Sequence, residues 1–206
     1  MGVSCEDPRT EQGCQLRSAP AADAGARNRH PVRMREISAE HAAALYERAY
    51  GAGIRCWVMG GWGVDALLGT QTRPHHDLDL LVLAEDLPRF DEVMTTAGFV
   101  QREVGEDENE WITLAGAEWP TAFVMSDASG CELDVHAVEI SGRRAIPRCA
   151  VPWTFPDGAL EGNGVIGGTT VACLSVEGQL GAHTGYEPSE NHVRDMTVLT
   201  RLRGHS

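Results

Sequence analysis

Two kinds of hydrophobic spacing alternate along the chain, and each predicts an element. Ser38 stands as an N-cap before apolar positions at helical intervals through Leu45 and Ala49, with Gly51 or Gly53 as the stop. Residues 54–59 then read as a short strand. Gly60-Gly61 turns it into a second helix from Trp62 to Leu68, stopped by Gly69. A polar loop, 70–76, leads into 77–83, where polar and apolar residues alternate before a wholly apolar end: a strand. Residues 87–97 form a helix ended by Gly98, and the acidic stretch 103–110 reads as a loop. Further strands are predicted at 111–114, 122–125, 131–140 and 165–173. Two short helices close the chain, one from Ser175 and one from Ser189 to Leu202, separated by Gly185-Tyr186-Glu187-Pro188. With strands first and helices last and no internal repeat, this is an α+β chain.

Residues 1–33 break the pattern. They are rich in Arg, Ala, Pro, Gly and Ser, nearly lack large apolar residues, and show no periodicity. The segment reads as a disordered tail, or as sequence upstream of a true start at Met34. The domain expected to fold spans 34–174, with 175–206 a helical segment packed on it.

Charge narrows the partners. The 17 cationic residues, all Arg, stand against 30 acids, for a net charge of −13. A polynucleotide partner needs a basic face to displace counterions, so nucleic acid is not expected. A neutral or cationic small substrate suits the field better, and any phosphate must be met by Arg, there being no Lys. The six cysteines are scattered without a C-x-x-C pair, as in a reduced cytoplasmic protein rather than a disulfide frame or a zinc site. No apolar run is long enough to span a bilayer, and the N-terminus carries no signal-peptide core.

The candidate chemistry sits on the strand 77–83. Side chains in a strand alternate faces, so Asp77 and Asp79 share one side, roughly 6.5–7 Å apart along the chain. Two carboxylates that close repel each other unless a cation lies between them, and Mg²⁺ suits a site of few carboxylates, waters and phosphate oxygens. Asp-x-Asp alone is common; three features add to it. Gly60-Gly61 stands at a helix N-terminus, where backbone amides can hold a phosphate. Arg73 and His75 lie in the connecting loop within reach of phosphates. Glu132, Asp134 and His136 share one face of a later strand, so Asp134 could be a third metal ligand or the base for an acceptor hydroxyl.

The run from Met59-Gly60-Gly61-Trp62 to Pro74-His75-His76-Asp77-Leu78-Asp79 resembles the signature of the small antibiotic nucleotidyltransferases, in the DNA-polymerase-β-like superfamily. Leu133-Asp134-Val135-His136 and a tail through Ser175, Gln179, His183, Gly185-Tyr186 and Asp195 resemble the lincosamide nucleotidyltransferases more closely. The resemblance runs over about residues 38–202 and is poor from about 103 to 130. It implies a mixed central sheet flanked by helices. Asp77, Asp79 and Asp134 would form the metal and catalytic set, with Asp134 as base, and Gly60 and Gly61 would cradle the triphosphate of ATP or another NTP. His183 and Tyr186, with His136, would border the acceptor pocket or a subunit interface, since relatives commonly pair as dimers. His192 stands where close relatives tend to carry an acid, which bears on the acceptor. The acidic loop, Trp111 and Trp119 could reshape the pocket, packing being the plainer role for each Trp.

The expected reaction is in-line attack of a small-molecule hydroxyl on the α-phosphorus, with a lincosamide as first-choice acceptor and an aminoglycoside second. Two other readings compete. His76-Asp77 could be the His-Asp dyad of a metal phosphohydrolase, which requires a helical setting. The fold could also serve only to bind nucleotide or to act in a regulatory pair, although three converging carboxylates speak for catalysis.

Overall fold

The structure, a computed structural model, describes residues 35–102, 109–149, 153–182 and 189–204. Helix α1 (Ala39–Gly51) starts where its cap predicts: the Ser38 hydroxyl accepts the His41 amide at 3.2 Å. Strand β1 (Cys56–Val58) leads into α2 (Gly60–Leu68), then β2 (Asp77–Leu83), α3 (Leu87–Thr96) and β3 (Val100–Gln101). Next come β4 (Trp111–Leu114), β5 (Ala117–Pro120), β6 (Ala122–Ser126), β7 (Glu132–Ser141) and β8 (Arg144–Pro147). The chain closes with β9 (Gly162–Ile166), β10 (Thr169–Cys173), α4 (Val176–Ala182) and α5 (Glu190–Arg203).

Seven strands run in the order β3-β6-β7-β2-β1-β10-β9, and β8 pairs the far end of β7. The sheet is mixed. β2 is parallel to β7 and β1 to β10, and the other pairings are antiparallel. One face carries Leu78, Leu80, Val82, Leu133 and Val135 into the main core against α1 and α3, whose Tyr46, Phe90 and Met94 are buried there. The opposite face has two zones. Its far part is a smaller core of Met59, Leu81, Val138, Phe155 and Leu174. Its near part, at the start of β2 and β7, is polar.

Several boundaries depart from expectation. The strand predicted at 165–173 is two strands, because Gly167 and Gly168 both adopt positive φ and fold it into the β9–β10 hairpin. Three short strands, β3, β5 and β8, carry too few residues for a periodic signal. The second helix begins at Gly60 rather than Trp62, so the glycine pair is its first turn. The β4–β5 hairpin forms a separate two-stranded sheet. There Trp119 packs against the main core, whereas Trp111, expected to pack, is 58% exposed. Residues 103–108 of the acidic stretch lie outside the described residues. Among the described residues, no helix is long and apolar enough to cross a membrane.

Candidate active site

The register of β2 on β7 builds the polar zone. Asp79 stands opposite Asp134 and Asp77 opposite Glu132, so four acidic side chains project from one face of adjacent parallel strands. Strand spacing is about 4.8 Å, which sets the separation of Asp79 and Asp134 at the backbone. Asp79 and Asp134 are buried, each 7% exposed, while Asp77 and Glu132 are half-buried at the strand ends. On the other side of β7, Val124 pairs with Asp134 and Ser126 with Glu132, and Ser126 Oγ accepts from Arg102 Nε at 2.7 Å.

Burial and crowding make Asp77, Asp79 and Glu132 hard to ionise. Burial pushes the Asp79 carboxyl well above its ordinary value, and the negative charges of Asp77 and Asp134 add to the rise. Asp77 is raised in the same way, first by burial and then by Asp134. Glu132 is raised by burial and partly restored by Arg102. The chemistry of this set fits a small divalent cation, whose charge would relieve that repulsion. Among the described residues, no group of three or more His, Cys, Asp and Glu side chains stands ready to hold a metal ion. Mg²⁺ does not need one: it is commonly bound through one or two carboxylates, with water and phosphate oxygens completing its shell.

The glycine turn lies directly on these acids. Gly60 adopts φ +59°, and a Cβ there would fall 2.1 Å from Asp79 Oδ2. At Gly61 a Cβ would meet Arg73 Nη2 at 2.5 Å and His75 Cε1 at 2.6 Å. Any side chain would therefore fill the space between the turn and the polar zone. Met59 gives α2 no side-chain cap, and the amides of Gly60, Gly61 and Trp62 belong to the first turn, where a helix has no acceptor of its own. Their positive end faces the acidic strands, a setting suited to a phosphate.

Loop 70–76 is held against the turn by a residue to which the sequence reading gave no role. Asp65, on α2, accepts from the Thr72 amide at 3.0 Å, from Thr72 Oγ1 at 2.6 Å and from His75 Nε2 at 2.6 Å. Burial raises its carboxyl, but the hydrogen bonds from His75 and Thr72 outweigh this and hold it below the ordinary value. The available signal was a lone carboxylate inside the apolar run of α2, since a buried charge requires partners. His75 is thus committed through Nε2, is 2% exposed, and lies 4.5 Å from the Trp62 ring. It buttresses the turn. Arg73 remains at the turn's mouth, with Nη2 donating to Asp195 on α5 at 3.0 Å.

His136 Nε2 lies 3.2 Å from Asp134 Oδ1, so the predicted acceptor residue is the immediate neighbour of the predicted base. His183 and Tyr186 lie outside the described residues. His76 is exposed and precedes a strand, not a helix, which removes the setting a phosphohydrolase dyad requires.

This frame is that of the nucleotidyltransferases. The chain superposes on the crystal structure of the lincosamide antibiotic adenylyltransferase LnuA with lincomycin bound, at TM-score 0.65 and 20% identity, covering 81% of this chain and 98% of that one. It also matches ANT(2'')-Ia in complex with adenylyl-2''-tobramycin, at TM-score 0.61 and 20% identity, covering 81% and 90%. A lincosamide resistance protein of Staphylococcus haemolyticus is 26% identical over 156 residues, 71% of this chain and 84% of that protein. The aminoglycoside-2''-adenylyltransferase family model matches residues 42–199, and the chain belongs to that family. It is a nucleotidyltransferase enzyme, so the binding-only reading falls away.

Proposed function

We propose that the protein transfers AMP from ATP to a hydroxyl of a lincosamide antibiotic, releasing pyrophosphate and inactivating the drug. The observation that carries the reading is the placement of Asp79 and Asp134 side by side in the β2–β7 ladder, with Gly60 against Asp79. Asp77 and Asp79 would hold Mg²⁺, which when bound supplies positive charge between the carboxylates and the triphosphate. The amides of Gly60 and Gly61 and the guanidinium of Arg73 receive phosphate oxygens, while His75 keeps the loop in place.

Asp134 takes the proton from the acceptor hydroxyl. Its Oδ1 is steadied by His136 Nε2, which also borders the acceptor. The acceptor oxygen forms a bond to the α-phosphorus as the bond from that phosphorus to the bridging oxygen breaks, and pyrophosphate leaves. Most of the catalytic gain comes from holding the two substrates in line. His183 and Tyr186 are assigned to the acceptor side on the resemblance alone.

The lincosamide assignment rests on the curated relative. An aminoglycoside acceptor is the second reading, supported by the family description and by a net charge of −13, which suits a polycation. We place the enzyme in the cytoplasm, acting on small molecules and not nucleic acid, and, on the resemblance alone, as a homodimer.

The decisive experiment incubates the protein with Mg²⁺, ATP and either lincomycin or kanamycin, and looks by mass spectrometry for drug carrying an added AMP. Addition to lincomycin supports the first reading and addition to kanamycin alone the second. Wild-type pyrophosphate release by Asp79→Asn would remove the mechanism.

A further inference from the structure

Arg73 lies between the glycine turn and helix α5. On one side is the turn, where its Nη2 stands close enough to exclude any side chain at Gly61. On the other is Asp195, whose side chain is only 3% exposed and accepts from that same Nη2 at 3.0 Å. The neighbouring residue of α5 contributes as well: Arg194 Nη2 donates to the Thr72 carbonyl at 3.1 Å. Consecutive residues of the terminal helix thus grip consecutive residues of the loop, 122 positions away in sequence.

We propose that α5 completes the triphosphate site, with Asp195 a positioning residue that aims Arg73 at the phosphates. A guanidinium has five N–H donors in a rigid fork, so a partner at one corner orients the others. Here Nη2 takes Asp195 and Nη1 approaches the Pro74 carbonyl at 3.4 Å, whereas the buried Nε has no hydrogen-bond partner among the described residues. Nη1, whose contact to that carbonyl is long and lies on the exposed side of the fork, is the donor left to a phosphate oxygen. The pair with Asp195 also spares a long, flexible side chain the entropy of ordering when nucleotide arrives. This inference rests on the nucleotidyltransferase reading given above, because it assigns Arg73 to that reaction's nucleotide.

Asp195→Ala and Asp195→Asn test it, with Arg203→Ala as control. Arg203 pairs with Glu177 at 2.9 Å, so its loss removes an ion pair of α5 without touching the loop. Steady-state kinetics are measured with ATP and acceptor varied separately, and Mg·ATP binding is followed by calorimetry. Asp195→Ala is expected to raise KM and Kd for ATP about 10-fold or more, as loss of one charge-assisted hydrogen bond does, and to leave the acceptor KM within about 2-fold. Asp195→Asn shows the same split in smaller degree, and carries the test if the alanine variant does not fold. Arg203→Ala keeps the wild-type ATP constants.

Wild-type ATP affinity in both Asp195 variants overturns the inference while leaving the reaction intact. Equal losses for ATP and acceptor, shared by Arg203→Ala, also overturn it, since helix docking alone would then be responsible. A wild-type protein that binds no ATP overturns both this inference and the reaction it rests on.

Discussion

Gly60 and Asp79 touch across the candidate active site: a methyl group on the glycine would fall 2.1 Å from the carboxylate oxygen Oδ2. The contact joins the first turn of α2 to β2, and the Met59 amide donating to the Asp79 carbonyl at 3.0 Å reinforces it. Gly60 also needs its positive φ of +59°, a conformation unfavourable to a residue with a Cβ.

Gly60→Ala should therefore harm activity more than stability. Backbone strain is expected to cost about 1–2 kcal/mol. Moving the Asp79 carboxylate by about 1 Å should lower turnover on the order of 100-fold. Thermal melts and pyrophosphate release measured side by side check the split. An alanine variant with normal turnover would show that Asp79 need not stand where it does.

Metal-free protein should become more stable when Asp79 is neutralised. Asp77 and Asp79 both have raised carboxyls in the folded chain, from burial and from neighbouring carboxylates (Asp134 for Asp77, Asp77 and Asp134 for Asp79), so the folded state holds their protons more tightly than the unfolded one. Ionising them at neutral pH opposes folding, and their contribution to stability grows as pH falls from the raised values toward about 3.9. Asp79→Asn is expected to raise Tm at pH 7.5 in EDTA by roughly 2–4 °C, the shift that about 1 kcal/mol gives a domain of this size. Mg²⁺ should raise Tm of the wild type but not of the variant. A drop in Tm on Asp79→Asn would count against an uncompensated charge there.

Asp65 should behave in the opposite sense. Its carboxyl is held low in the folded state despite burial, so the stability it provides is present above about pH 3.9 and is lost as pH falls through the lower folded value. Asp65→Ala leaves His75 and Thr72 without their common acceptor and should cost about 3 kcal/mol. Urea melts at pH 7 and pH 3 check both points: the cost of the substitution should shrink at the lower pH.

Three thiols should be silent in the native protein. Burial pushes Cys56 up to about 12, and Cys131 and Cys173 each up to about 11, so at pH 8 the reactive thiolate is scarce. Iodoacetamide at pH 8 followed by peptide mapping should find these three unmodified until denaturant is added. Native labelling of Cys173 at the unfolded rate would contradict the packing of β10.

The alternation of Asp77 to Leu83 and of Glu132 to His136 made both strands legible, and with them the face on which the acids meet. Period-2 spacing decides orientation, but pairing partner and register are tertiary facts, so only the folded chain puts Asp79 beside Asp134. The resemblance had already joined them by analogy. The role of Asp65 is not legible in the sequence because a helix position does not state its partners; those lie seven and ten residues further on, in a loop without periodicity. The Arg73–Asp195 pair is more remote still, and nothing local in either segment names the other. His75 was legible as a loop residue near the turn, yet its burial against Trp62 and Asp65 emerges only when α2 packs behind it.

The β2–β7 register separates two design problems that many catalysts must solve together. The spacing of Asp79 and Asp134 is inherited from backbone hydrogen bonding, so it does not depend on the loops or on the hairpin that carries exposed Trp111. Those outer segments can change while Asp79 stays beside Asp134, so under the proposed reaction a new acceptor could be accommodated without disturbing the ladder.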